Sequence, residues 1–203
     1  MEDDLWRFLP LSWYSNQLLS PCDRLLSIAS RTFNDLPLTL SAKVSLVHYW
    51  HKTRSHPAEL TAGYCNTDGH DGYDSVAEIF ARNSRQMVVP GMDLVDRGQP
   101  EGLKSSPELL LAQIVSACKR HEVRMSGENY ALIGSSFSRI KENLLAVDSF
   151  TYQQMEAGFF SPQHCPLFTE FVRSISETEL DAEDLVSEER VSMPIRTALT
   201  NDH

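Results

Sequence analysis

The stretch VRMSGENY at 123–130 sets a carboxylate, Glu128, beside an amide, Asn129, at the end of a short apolar-leaning run. A carboxylate at the tip of a strand is placed for general acid or base work, and such chemistry calls for a second acid elsewhere. Five further side chains stand at the ends of short runs: His48, Trp50 and His51 at the end of AKVSLVHYW, and Gln153 and Gln154 after DSFTY. Groups at such ends fit a site, and they fit equally the solvated start of a loop.

The elements that must hold these groups alternate along the chain. Residues 11–33 have helical spacing at Leu25, Ile28, Ala29 and Thr32, with Ser20-Pro21 as an interruption that predicts a kink or two helical pieces. A strand is expected over 42–50, being β-branched and aromatic. The turn-rich NTDGHDGY then feeds a helix near 72–84, in which Asp71 acts as the cap. QMVV (86–89) reads as a strand stopped by Pro90-Gly91. SPELLLAQIVSACKR (106–120) opens with a serine cap and a proline in the first turn, with Leu110, Ile114 and Cys118 on its buried face. A strand at 123–127, a helix at 136–146, a strand at 148–152 and a closing segment at 166–175 complete the series. Strands separated by helices imply βαβ units and a parallel α/β sheet, whose sites lie at the carboxyl ends of the strands. The acidic stretch ETELDAEDLVSEER reads as the start of a solvated tail.

Composition narrows the function. The chain has 203 residues, enough for a real core, and 18 basic against 28 acidic side chains give a net charge of −10. That balance argues against nucleic acid and anionic membranes as partners. No apolar run approaches the ~20 residues of a membrane span. Four scattered cysteines without a C-x-x-C pair favour a reducing compartment. His48, His51 and His56 do not read as a zinc site: strand alternation puts the first two on opposite faces, and no carboxylate or thiolate completes the spacing. DGHDGYD lacks the regular acidic spacing and terminal Glu of a calcium loop. There is no nucleophile elbow, Walker loop or dinucleotide fingerprint.

One set of motifs goes further. HYWHKTRSHPAELTAGYCNT (48–67), followed by DGY (71–73), resembles the β-amylases, the plant-type exo-acting glucan hydrolases. LSWYSNQLLSPCDRLLSIA (11–29), GQP (98–100), SPELLLAQIVSACKR (106–120) and SGEN (126–129) are similar in order and spacing, so the resemblance runs from about Phe8 to about Ile175. It implies a partial (β/α)8 TIM barrel, about the last four βα units, over residues 1–175, with 176–203 as a disordered acidic tail. It implies hydrolysis of α-1,4-glucosidic bonds of starch, releasing maltose from non-reducing ends with inversion. Inversion uses two carboxyl groups about 6.5–9.5 Å apart. By resemblance Glu128 is the general base, and Lys43, His48 and Asn129 bind substrate. No metal or organic cofactor is implied. The family's general acid belongs to a strand upstream of anything resembling Leu11 onward, so this chain alone is expected to lack general-acid help, worth about 10²–10⁴-fold.

Several positions depart from active members. Leu46 stands where the family has a glycine, Pro90 where a mobile inner loop offers a threonine hydroxyl, Tyr130 where a small residue follows the Glu-Asn pair, and Gln154 where an arginine contacts substrate. These departures resemble the plastid β-amylase-like branch described as non-catalytic. Two readings follow: a starch hydrolase by lineage, and a non-catalytic glucan-binding or regulatory protein of starch breakdown. The resemblance favours the plastid, although no targeting segment is visible. Four parallel strands with two bare edges also predict self-association.

Overall fold

The computed structural model describes residues 2–67, 69–130, 136–153 and 157–175. They fall into two compact units, Met1–Glu156 and Ala157–His203. The expected acidic tail at 176–203 lies outside the described residues.

The first unit is built on a parallel sheet of order β1-β2-β3-β4, with β1 Ser41–Lys43, β2 Gln86–Val89, β3 Met125–Glu128 and β4 Ser149–Thr151. Ala42 pairs with Met87, Met87 with Met125, and Gly127 with Phe150. Between the strands run α2 (Pro57–Thr61), α3 (Gly72–Arg82), α4 (Pro107–Arg120) and α5 (Phe137–Leu144). The expected alternation and parallel α/β class are therefore present. The core lies where α3 and α4 cover the central strands: Val76, Ile79 and Phe80 from α3, Leu110, Ile114 and Cys118 from α4, and Met87, Val89 and Met125 from the sheet are all buried. Met125, Ser126 and Gly127 of β3 are buried on both faces, as parallel strands require, whereas on β2 Met87 and Val89 are buried and Gln86 and Val88 half-buried.

Two expectations at the start of the chain need correction. Pro21 does not divide the first helix: α1 runs unbroken from Glu2 to Thr32, about 46 Å at 1.5 Å per residue. Tertiary anchors on either side outweigh the lost hydrogen bond. Tyr14 Oη donates to the Thr61 carbonyl before Pro21, while after it Asp23 accepts from Asn83 Nδ2 and Ser30 Oγ donates to the Asn83 carbonyl. The helix also turns a different face inward: Leu26 is buried, whereas Leu25 and Ile28 are 66% and 53% exposed. The strand expected over 42–50 ends at Lys43, with one further ladder bond from Val44 N to the Val88 carbonyl at 3.0 Å. Beyond it the chain turns away through 49–52, so His48 and His51 leave the sheet.

The helix starts show which capping devices operate. Asp71 caps α3 as expected, its Oδ1 accepting from Tyr73 N at 3.1 Å. Ser106 sits at the cap position of α4, but its hydroxyl donates to Asp96 Oδ2 at 2.7 Å instead of accepting from the helix. Asp96, from the 3-10 turn Asp96–Gly98, does the capping: Oδ1 accepts from Glu108 N at 3.2 Å, and Glu108 Oε2 accepts from Asp96 N at 3.1 Å. This is a reciprocal capping box closed across a loop.

The second unit holds a 3-10 turn, Ala157–Phe160, and helix α6 over 165–175. Its centre is aromatic: the Phe159 ring meets Phe160, His164 and Phe168 edge-on at centroid distances of 5.2, 5.1 and 4.7 Å. Among the described residues no helix is long and apolar enough to cross a membrane.

Candidate functional site

At the carboxyl ends of the strands, Lys43 closes β1 and Glu128 closes β3. Strands two apart lie about 9.6 Å from each other, a span that the four-carbon lysine stem can cross. Lys43 Nζ reaches Glu128 Oε2 at 2.5 Å, with the carboxylate 14% exposed and the ammonium half exposed. Two residues singled out from the sequence are thus brought together, with the lysine ammonium directly against the carboxylate.

The loop after β2 is stitched beneath this pair. Met92 N donates to the Glu128 carbonyl at 3.0 Å, and Tyr130 N donates to Asp93 Oδ1 at 2.6 Å. Asn143 Nδ2 donates to the Met92 carbonyl at 2.8 Å. Met92 is fully buried against Gly127, where an added Cβ would come within 2.8 Å of the Met92 side chain, so the glycine of SGEN makes room for the loop. Gly91 has φ +81°, a conformation that side chains disfavour, and an added Cβ would lie 2.6 Å from Leu46 Cδ2 and 3.0 Å from Leu94 Cδ1. Two departures noted in the sequence therefore meet: the leucine at 46 rests on the loop that carries Pro90 and Gly91. Pro90 is half-buried and brings no hydroxyl to Glu128.

The remaining expected residues are placed as follows. His48 is buried, with Nδ1 2.6 Å from Ser105 Oγ, behind the segment that leads into α4. Burial pushes its imidazole below the ordinary value, the Asp96 charge offsets part of this, and nearby His51 adds to it. Asn129 is also buried, and its side-chain amide ties down the end of β4: Oδ1 accepts from Gln153 N at 2.6 Å and Nδ2 donates to the Gln153 carbonyl at 3.4 Å. The Tyr130 side chain is 65% exposed. Gln154 lies outside the described residues.

A second polar centre escaped the sequence reading. Glu59, in the first turn of α2, is fully buried. Its Oε1 accepts from Tyr73 Oη and from Asn66 Nδ2, both at 3.1 Å. Its Oε2 meets His56 Nδ1 at 2.5 Å and His51 Nδ1 at 3.4 Å. Burial alone would raise this carboxyl, but the neighbouring imidazoles of His51 and His56 and the Asn66 amide outweigh it and hold Glu59 below the ordinary range. Burial also pushes the Tyr73 phenol far up, so it remains a donor. The signal was present in HPAE: an i,i+3 His–Glu pair with proline at the first helical position, which predicts one turn of helix.

A strand-tip acid on parallel βα units, with a lysine reaching it from two strands away, is the arrangement of a parallel α/β protein whose site lies at the carboxyl ends of its strands. The solved catalytic domain of a β-amylase from Paenibacillus polymyxa is similar in fold, with a TM-score of 0.59 at 23% identity, over 71% of this chain and 34% of that one. The chain belongs to glycosyl hydrolase family 14, the β-amylase family, which it matches over residues 6–180. It is similar to inactive beta-amylase 9 of Arabidopsis thaliana, 50% identical over 187 residues, covering 89% of this chain and 35% of that protein. It is also similar to the chloroplastic beta-amylase 2 of Oryza sativa subsp. japonica, 32% identical over 179 residues, covering 83% of this chain and 32% of that protein. The chain therefore spans about a third of the length of these curated relatives.

Proposed function

We propose that this chain is a β-amylase-lineage protein that binds α-1,4-glucan without hydrolysing it, as a binding or regulatory component of starch breakdown. The contact of Leu46 with the Gly91 loop carries this reading. It puts an isobutyl group at the carboxyl ends of β1 and β2, where a sugar ring bound by Lys43, His48 and Glu128 would have to lie. The hydrogen bonds that fix residues 91–93 to 128–130 oppose any movement that would clear the space. The relative named as inactive at 50% identity supports the same reading. Within it, residues 1–175 are the carboxyl-terminal half of the barrel, Glu128 is the general-base equivalent, Lys43, His48, Asn129 and Tyr130 line the glucan side, and Pro90 and Gln154 are weakened contacts. Relatives named as chloroplastic support a plastid setting.

The hydrolase reading is favoured by one observation, the preserved Lys43–Glu128 pair. The experiment joins this chain to the upstream half of an active relative and measures maltose release from soluble starch alongside glucan retention in affinity electrophoresis. Retention by glucan with release no greater than that of a Glu128→Gln control supports the binding role. Release well above that control overturns it. Leu46→Gly, Pro90→Thr and Gln154→Arg together are expected to restore turnover.

A further inference from the structure

We propose that His51, His56 and Glu59 form a binding site for a divalent transition metal of the zinc class. Their three donor atoms lie within 4.8 Å of one another. The separation of His51 Nδ1 from Glu59 Oε2, 3.4 Å, matches the donor–donor edge of a tetrahedral zinc centre, about 3.3–3.5 Å for bonds of 2.0–2.2 Å. His51 supplies an independent pointer to a ligand: its side chain is 9% exposed, and Nδ1 is shielded from water with no hydrogen-bond partner of normal geometry. Such an orphaned buried nitrogen is unusual in a protein interior, and a metal ion would satisfy it.

The carboxylate is oriented as metal-bound carboxylates are, by partners on its other oxygen. Tyr73 Oη and Asn66 Nδ2 both donate to Oε1, and Gln113 holds Asn66 from behind by accepting from Asn66 Nδ2 at 3.0 Å and donating to its Oδ1 at 2.6 Å. Oε2 is left to face the two imidazoles. The His56–Glu59 separation of 2.5 Å is that of a shared proton and must open by about 0.8 Å for both groups to ligate one ion. His56 is the member able to move: it sits on a turn at φ +40°, ahead of a five-residue helix, with its side chain 19% exposed. The displaced proton passes to the other ring nitrogen or to solvent, and a water molecule entering beside His56 completes four-coordination.

The test uses the purified chain stripped with a chelator, Zn²⁺ titrated against a chromophoric competitor, and Co²⁺ as a spectroscopic probe. One equivalent of Zn²⁺ is expected to bind and to raise the melting temperature. His51→Gln, which leaves the Tyr73 and Asn66 bonds to Glu59 in place, is expected to weaken binding by at least about 100-fold, beyond the loss for an outer hydrogen-bond partner. His121→Gln, at a surface His–Asp contact, is expected to bind like the parent. Absence of a tight equivalent, or equal affinity in His51→Gln, overturns the proposal. Should His51→Gln fail to fold, the parent decides: intense visible absorption of four-coordinate Co²⁺ supports the site, and a weak or absent band overturns it.

Discussion

Gly91→Ala tests the contact on which the functional reading turns. The new methyl group meets Leu46 Cδ2 at 2.6 Å and Leu94 Cδ1 at 3.0 Å, on a residue held at φ +81°. The left-handed conformation costs about 1–2 kcal/mol for a residue with a Cβ. Overpacking adds about 1–2 kcal/mol, because the struck atoms are ends of side chains that can shift. The expected destabilisation is thus about 2–4 kcal/mol, a fall in Tm of roughly 4–16 °C for a chain of this size. Leu46→Ala removes the closer of the two struck methyl groups and most of the steric part, while leaving the Leu94 contact and the backbone part. In a double-mutant cycle read by urea unfolding, the two changes together should therefore cost about 1–2 kcal/mol less than their sum. An interaction term within about 0.5 kcal/mol of zero would show that Leu46 does not rest on the loop, and would remove the steric argument against catalysis.

Glu59→Gln replaces the buried carboxylate shared by His51, His56, Tyr73 and Asn66 with a neutral amide and is expected to lower the unfolding free energy by about 1–3 kcal/mol, measured by urea denaturation. Two titrations should be visible in stability against pH. Folding depresses His48 from 6.5, so its contribution is complete above about pH 6.5 and declines as pH falls below that; His48→Gln should flatten this step. Folding depresses Glu59 from 4.5, so its contribution is present above about pH 4.5 and is lost as pH falls through the lower folded value. Pro21→Ala should stabilise the chain by about 1–3 kcal/mol, since an exposed proline in an unbroken helix forgoes a hydrogen bond; a loss of stability would contradict the continuity of α1. Light scattering should find self-association, because Leu25 and Ile28 face outward and β1 and β4 each end the sheet; a sharp monomer with cooperative unfolding would refute this.

Where local pattern and packing coincide, the sequence was a sufficient guide. Leu110, Ile114 and Cys118 occur at helical spacing and are buried on α4, and QMVV is a strand over the expected residues. Glu128 could be placed at a strand end because a short apolar-leaning run leads into Ser126-Gly127, and it does close β3. Two of the failures share a cause, namely partners from other segments of the chain. Pro21 breaks helices locally, but contacts to Thr61 and Asn83 prevail. Ser106 has the chemistry of a cap, yet a better acceptor arrives from Asp96. Setting His48 and His51 on opposite faces presupposed a strand that ends at Lys43, and the carboxylate missing from the histidines comes from a single turn of helix.

The cap supplied by Asp96 also bears on how this chain can vary in length. Surface loops ordinarily accept insertions at small entropic cost. Residues 97–105 are an exception, because one acid at their start is bonded to Lys52, Ser106 and Glu108 at once. Adding or deleting one residue there moves the attachment by up to about 3.5 Å and uncouples Asp96 from Ser106 and Glu108. Homologous chains that keep this lock should therefore preserve the spacing between the acid and the serine–proline pair, while gaps accumulate elsewhere.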